Sequence, residues 1–463
     1  MKHYYSSIVR KLFICFIFSF FGILPLLAQS VSSESSVDWT NRTFSSTLSL
    51  DMKQANLSFP TGKNTATNRI NSQLPLLVKD PLLTLKVDSS YTLNDMIVND
   101  MLSFDSISTV IETGDKSPAI FSQTGLALSM DHQLKLANIG ILMIKHRHPY
   151  SPKEPIQQAA SRQYTGIIID ARGSLPVQGE FVQDQVDPCF FPTIWDDNMN
   201  LIYEKNMTNA AIAQKDGIVH YDYSDDEYRY RDRIGTDPLR IRARKVYGAN
   251  RTDPVISRND ALKILSIPEN IQLLNEGRVV VLLDKERLIH PVATPNKDEA
   301  YYVVLRELKK FIYDDKVQDV EVRDDSRGIQ ISVQNLQFVA DSSELLSNEE
   351  PRLDELAEMV RAVTASQEYT VTVEGHTASV GKPTGELNLS IERAQAIIQA
   401  LERRGIDTSQ FTYRGYGGTV PLGDNNTAEG RAMNRRVEIM IIPKQTYVQR
   451  SVDNPPSIDS AEQ

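Results

Sequence analysis

The spacing of apolar and polar positions along this chain changes period several times, and each change marks an element. Between Val37 and Leu50 the run DWTNRTFSSTLSL alternates apolar and polar residues, the period of a half-buried strand. Ile70, Leu74 and Leu77 then recur at helical spacing, with Pro75 expected to kink or end that helix. Short alternating segments follow around Leu82 to Val87, Ala127 to Met130 and Leu134 to Lys145, and the proline-rich HPYSPKEP reads as a linker. A second series opens with TGIIIDARG, a β-branched run. It continues through the aromatic segment around Cys189 and ends in a helix from about Asn259 to Ile267 and the strand RVVVLLD.

From Gly328 onward the elements alternate regularly. GIQISVQNLQF predicts a strand, and the Ser347/Glu350 spacing of a capping box opens a helix whose apolar face is Leu353, Leu356, Ala357 and Val360. Tyr369, Val371 and Val373 predict the next strand. Ser390 is the expected N-cap of a helix buried through Ala394, Ile397, Ile398 and Leu401, with Gly405 as its stop, and FTYRGYG and RRVEIMII supply the last strands. The predicted fold class is α+β in three domains. Residues 31–150 form an N-terminal mixed α/β domain, 160–290 a central mixed α/β domain, and 300–443 a βαβαβ sheet with helices packed on one face. Residues 444–463 are expected to be a flexible tail.

The first thirty residues set the compartment. Lys2, Arg10 and Lys11 precede an almost unbroken apolar run from Leu12 to Leu27, followed by Ala28-Gln29-Ser30. This predicts a secretory signal peptide over residues 1–29, cleaved near Ala28 to Ser30; an uncleaved anchor is the competing reading. Cys15 lies inside the apolar run with no small residue before it, which speaks against a lipid-modified cysteine. Loss of the leader leaves Cys189 as the single cysteine, so stability must come from packed cores. Its setting, DPCFFPTIW, suits a buried small hydrophobe.

The length of 463 residues allows about three domains, and 41% apolar with 24% charged residues is ordinary for globular protein. The formal charge of -10 argues against nucleic acid, whose phosphates need a basic surface. Removing the leader's three basic residues, with no acid lost, takes that charge from -10 to -13. No nucleophile elbow, phosphate loop or paired metal motif is present, so neither an enzyme nor a cofactor is expected. Asp222, Asp225, Asp226 and Glu227 offer hard oxygen ligands, but their irregular spacing favours a solvated acidic loop over a calcium site. His146 and His148 would share one face of a strand, yet a third metal ligand is not visible. An outer-membrane barrel from residues 31 to 300 is disfavoured by helix signals and proline breaks.

The blocks LQFVADSSEL, VTVEGHTASVG, LSIERAQAI, YRGYGGTVP and NNTAEGRAMNRRVEI, in this order and spacing, resemble the OmpA-like peptidoglycan-binding domain. The resemblance covers residues 330–442. The whole arrangement resembles multi-domain spirochaete envelope proteins. It implies a cell-envelope protein in the periplasm or at the outer membrane, with peptidoglycan and other envelope proteins as partners. In the family, an aspartate in the loop after GHT and an arginine on the next helix hold the diamino acid of the stem peptide. An Arg fork grips its carboxylate while a carboxylate answers its ammonium. Arg393 matches the family arginine, but the aspartate falls on Ala378 and the usual asparagine is Glu386. Losing a charged hydrogen bond, worth on the order of 1.5 to 3 kcal/mol, should weaken binding roughly ten- to hundredfold. Either Glu386 supplies the missing carboxylate, or it faces solvent and the site has decayed. Thr377, Asn434 and Arg435 complete the expected site. Asn434, Arg435 and Arg436 match the closing motif and are expected to orient the binding loop or last strand, and His376 to be a structural hydrogen-bond partner.

Overall fold

Strand Val31–Asp38 opens the fold and turns back on itself as Thr43–Asp51. The computed structural model describes residues 31–451 except 154, 156, 181, 298, 316–318, 326, 340–341 and 365–368. The signal-peptide expectation and the final twelve residues therefore lie outside the described residues. What the sequence pattern suggested as one strand is a hairpin, because Asp38 Oδ1 accepts from the backbone N–H of Thr40 and Asn41 and Arg42 adopts a left-handed φ of 54°. Thr43–Asp51 pairs next with Ala127–Lys135, giving an antiparallel sheet. Phe44, Leu48, Leu50, Leu128 and Met130 point to its buried side.

Helix Lys63–Leu83 covers that side with Ile70, Leu74 and Val78 and continues past Pro75 and Pro81. A proline inside a helix costs about 3 kcal/mol. Six large apolar side chains of the helix, Ile70, Leu74, Leu77, Val78, Leu82 and Leu83, are buried, each worth roughly 1.5 to 3 kcal/mol, and together they outweigh the two prolines. Of the kink or end expected at Pro75, the end therefore does not occur.

The central region holds a four-stranded parallel sheet, ordered His220–Asp222, Val279–Leu282, Ile167–Asp170, Leu239–Arg242. Val279–Leu282 is buried at every position, which explains its unbroken apolar sequence. Helix Arg258–Leu265 begins where expected, with Ser257 Oγ accepting from Asp260 N at 3.1 Å. His146 and His148 lie outside any strand, and His146 Nε2 bonds Thr208 O at 2.7 Å. The acidic side chains of the 222–227 loop are engaged by the protein itself: Asp222 by Arg229, Asp225 by Arg172, Glu227 by Arg240, and Asp226 by Tyr228 N.

The first two regions share one apolar core, which runs from Val31 to Val292. Backbone bonds from Phe190 N to Lys86 O (3.1 Å), Phe191 N to Val87 O (2.9 Å) and Asn250 N to Ser89 O (3.0 Å) join them. Trp39 meets Phe190 and Tyr221 edge-on, at 5.4 and 6.1 Å. Cys189 is buried nearby, and burial pushes its thiol up, away from reactivity.

Asp253 is fully buried in the same region, where it accepts from Thr193 N and Trp195 Nε1; burial pushes its carboxyl up to about 6. A carboxyl raised above its unfolded value stabilises most below that unfolded value, and the contribution is lost as pH rises through the folded one. Parent stability minus that of Asp253→Asn should therefore fall by up to about 3 kcal/mol between about pH 4 and 7, read from denaturant midpoints. An unchanged difference would mean that Asp253 does not titrate there.

The C-terminal sheet is ordered Val320–Asp324, Ile329–Gln334, Arg436–Pro443, Tyr369–Gly375, Phe411–Gly415, with only the last pair parallel. Helices Glu299–Asp315, Glu350–Thr364 and Pro383–Arg403 pack on one face, over Ile331, Val333, Val371, Val373, Val437 and Ile439. The sequence reading had two of these helices. The third was legible in Tyr301, Leu305, Leu308 and Ile312, which repeat at helical spacing. No capping box forms at Ser347; a 3-10 turn over Ser347–Glu349 leads into the second helix, and Glu349 is buried against Arg352.

The expected flexible tail needs correction for its first part. Gln445–Thr446 pairs with Thr294–Pro295, and Val448–Arg450 pairs antiparallel with Ser32–Glu34. Ser451 N then donates to Val31 O at 2.8 Å. The segment is short and polar, and a ladder made of backbone groups needs no apolar pattern in the sequence.

Candidate functional site

The loop His376–Lys382 links strand Tyr369–Gly375 to helix Pro383–Arg403. That helix starts seven residues before the expected cap at Ser390, with Pro383 at its first position, a place where a missing N–H costs nothing. Ser390 is instead fully buried inside the helix. Its hydroxyl donates to Leu387 O at 2.7 Å and accepts from Gly417 N at 3.0 Å, fastening the neighbouring loop. Gly375 is required by this closeness, since a Cβ there would lie 2.0 Å from Ser390 O.

Five backbone N–H groups of the loop are tied down, the first being His376 N, which donates to Arg436 O at 3.0 Å. Thr377 N donates to Gly417 O at 2.9 Å and Ser379 N to Asn425 Oδ1 at 3.0 Å. Val380 N and Lys382 N both donate to Glu386 Oε1, at 2.6 and 3.0 Å. Glu386 is thus not solvent-facing; it is buried and closes the loop onto the first turn of the helix. Ala378 is also buried, with no polar group to offer. The Thr377 hydroxyl is buried and has no hydrogen-bond partner among the described residues.

Arg393 stands two helical turns beyond Glu386, on the same side of the helix. Its guanidinium lies over the Phe338 ring, 4.5 Å from the centroid, and its Nε reaches Ser342 O at 3.4 Å. Phe338 and Ser342 belong to the loop after Ile329–Gln334, so two loops and one helix converge on the expected site.

Asn434 is fully buried and makes four bonds. Its Oδ1 accepts from Leu422 N (2.7 Å) and Gly423 N (2.8 Å), and its Nδ2 donates to Gly423 O and Asn425 Oδ1, both at 2.9 Å. Since Asn425 Oδ1 also receives Ser379 N, Asn434 is one side chain removed from the binding loop. Arg435 is different. Its side chain is exposed, and only its backbone takes part, with Asn335 N donating to Arg435 O at 3.2 Å.

Behind the loop lies a buried charged network that the sequence reading did not foresee. Arg327 forks onto buried Glu374 at 2.8 and 3.2 Å, Arg436 Nε bonds Glu438 at 2.6 Å, and Gln330 Nε2 bonds the other Glu438 oxygen at 2.8 Å. Burial pushes the Glu438 carboxyl up, but His376 and Arg436 together hold it below the usual range. His376 sits 3.6 Å from Glu438, beyond hydrogen-bond length, and stacks on Tyr416 with centroids 5.1 Å apart. Burial lowers its pKa, and its expected hydrogen bond within the loop is not formed. Alternation along Thr370, Thr372, Glu374 and His376 marked this face, but the partners come from four other segments.

The C-terminal part of the chain is similar in sequence to known proteins. Residues 337–435 match the OmpA family model. Probable lipoprotein YiaD of Escherichia coli is 32% identical over 139 residues, covering 27% of this chain and 62% of that protein. Outer membrane protein A of Bordetella avium is 37% identical over 105 residues, covering 23% and 53%. The chain thus spans less than two thirds of either curated relative. The cell wall anchor of the T6SS from Pseudomonas aeruginosa overlaps 30% of this chain and 97% of that one, at 32% identity and a TM-score of 0.26. The C-terminal unit is an OmpA-like domain, and the chain is a multi-domain protein of the bacterial cell envelope, periplasmic or outer-membrane-associated. Its upstream regions, residues 30–142 and 166–285, match in order the N-terminal and second domains of Treponema pallidum Tp0624.

Proposed function

We propose that this protein associates with peptidoglycan through its OmpA-like domain, with Arg393 gripping the free carboxylate of the stem-peptide diamino acid, and that the association is weak. The observation that carries the reading is the placement of Arg393, stacked on Phe338 on the same side of the helix as the closed loop. A guanidinium plane held before the ligand arrives loses less freedom on binding. The buried, unpartnered Thr377 hydroxyl adds a polar group beside it. Weakness follows from the other half of the site: Ala378 has no carboxylate, and Glu386 Oε1 is already taken by two loop N–H groups. The ligand's ammonium is left without its family partner.

A second reading, a periplasmic scaffold or ligand-binding protein that no longer binds wall, is favoured by the same engagement of Glu386. Sedimentation with purified sacculi separates the two. Under the first reading a fraction of the parent pellets, Arg393→Ala lowers that fraction at least about fivefold, and Ala378→Asp raises affinity by about tenfold or more. A parent that stays wholly in the supernatant, with Arg393→Ala no different, would establish the scaffold reading.

A further inference from the structure

Two arginines from distant parts of the chain meet at one glycine. Gly217 ends helix Ala210–Asp216 at a φ of 71°. Arg42, in the hairpin turn after Val31–Asp38, donates through Nη1 to Lys215 O at 3.0 Å, and Arg233, on the short helix Arg231–Ile234, donates through Nη2 to Gly217 O at 2.7 Å. A Cβ at Gly217 would lie 3.2 Å from Arg42 Cζ, and a Cβ at Gly277, whose φ is also positive, would lie 3.0 Å from Arg233 Nη2. The missing side chains are what let both guanidiniums come up to the backbone.

A helix end attracts a cation. Two cations at the same end also repel each other, and here carboxylates do little to offset it. Neither Arg42 nor Arg233 forms an ion pair among the described residues; the acid that acts on both is Asp216, while Arg278, the next cation beside Arg233, has Glu276 at 3.7 Å. Burial lowers both guanidinium pKas, Arg233 adds repulsion at Arg42 and Arg278 adds it at Arg233, with Asp216 opposing at each. Arg233 Nε is buried without a hydrogen-bond partner among the described residues. Buried charges are ordinarily paired and buried donors ordinarily bonded, so a surplus of cationic donors at one point calls for an anion. General basicity does not account for it, since the formal charge of the chain is -10.

The donors also say which anion. A guanidinium is a planar fork whose N–H groups fit two oxygens of one oxyanion. A carboxylate has a single edge of two oxygens and satisfies a single fork, whereas phosphate can turn a separate edge to each of two forks that arrive from different segments. Both arginines are half-buried, so a small ion in solution can reach them. We propose that Arg42 and Arg233 form a binding site for inorganic phosphate, held between their two forks beside Gly217.

The test is calorimetric titration of the purified protein with sodium phosphate, together with thermal unfolding in phosphate and in chloride of matched ionic strength. The parent should take up a single phosphate per chain, and its unfolding midpoint should climb with phosphate and not with chloride. Arg42→Gln and Arg233→Gln should each weaken binding at least about tenfold. Lys309→Gln, which changes an exposed lysine on helix Glu299–Asp315, should bind as the parent does. Should Arg233→Gln not fold, Arg42→Lys decides: it keeps the charge, loses the fork, and should bind about tenfold more weakly while unfolding in chloride at the parent's midpoint. Acetate should bind at least about tenfold more weakly than phosphate. A parent that takes up no phosphate, equal affinity in Arg42→Lys and the parent, or acetate that matches phosphate would overturn the proposal. So would glutamine variants whose midpoints fall equally in phosphate and in chloride, which would leave the two arginines as caps of the helix end.

Discussion

Replacing Asn434 with alanine is expected to lower the stability of the OmpA-like domain by about 3 to 5 kcal/mol. The side chain is fully buried and saturated: two backbone donors, Leu422 N and Gly423 N, end on its oxygen, and two acceptors, Gly423 O and Asn425 Oδ1, receive its amide. Alanine leaves both donors unmet, and each buried unsatisfied group costs about 1 to 3 kcal/mol. The effect should spread to the binding loop, because Asn425 loses one of the bonds that aim it at Ser379. Guanidinium unfolding should show the loss, and amide exchange at Ser379 should quicken while that of the central parallel sheet stays unchanged. Equal midpoints for parent and variant would mean that water replaces the four bonds.

The second large effect concerns the chain's end. Stopping the protein at Lys444 removes the ladders of Gln445–Thr446 with Thr294–Pro295 and of Val448–Arg450 with Ser32–Glu34, together with the bond from Ser451 N to Val31 O. At about 1 kcal/mol for each net backbone hydrogen bond, the loss is on the order of 3 to 5 kcal/mol. It also bares part of the first strand as an open edge, which invites pairing between molecules. Truncation at Lys444 should lower the melting temperature and promote association on heating, whereas stopping after Ser451 should change neither. If both truncations behaved alike, the tail strands would carry no stability.

What was legible in the sequence divides along a physical line. The OmpA-like sheet could be read because its helices and strands keep their periods locally, as in Leu353 to Val360 and Tyr369 to Val373, and because its loop blocks keep their spacing. The positions of Arg393 and Asn434 beside the loop were legible for the same reason. Glu386 was not: sequence can place a carboxylate near a helix start but cannot tell whether it faces a ligand or folds back on Val380 and Lys382. Ser390 misled because a serine before an apolar stripe looks like a cap, while its actual partner, Gly417 N, is 27 residues away. The tail strands, the Pro75 helix and the Arg327 pair with Glu374 depend on contacts between distant segments, which no local pattern encodes.

The return of Val448–Arg450 to the first strand also sets how the molecule bears tension. Ser32 faces Arg450 and Glu34 faces Val448, so the two strands run in opposite directions. A pull on the chain at Val31, opposed by a pull on the OmpA-like domain that enters through Lys444, acts on opposite ends of their overlap. The strands are then loaded in shear, with all their shared hydrogen bonds strained together instead of being unzipped one by one. Opposed pulls at Val31 and Lys444 are thus resisted by the shared backbone ladder.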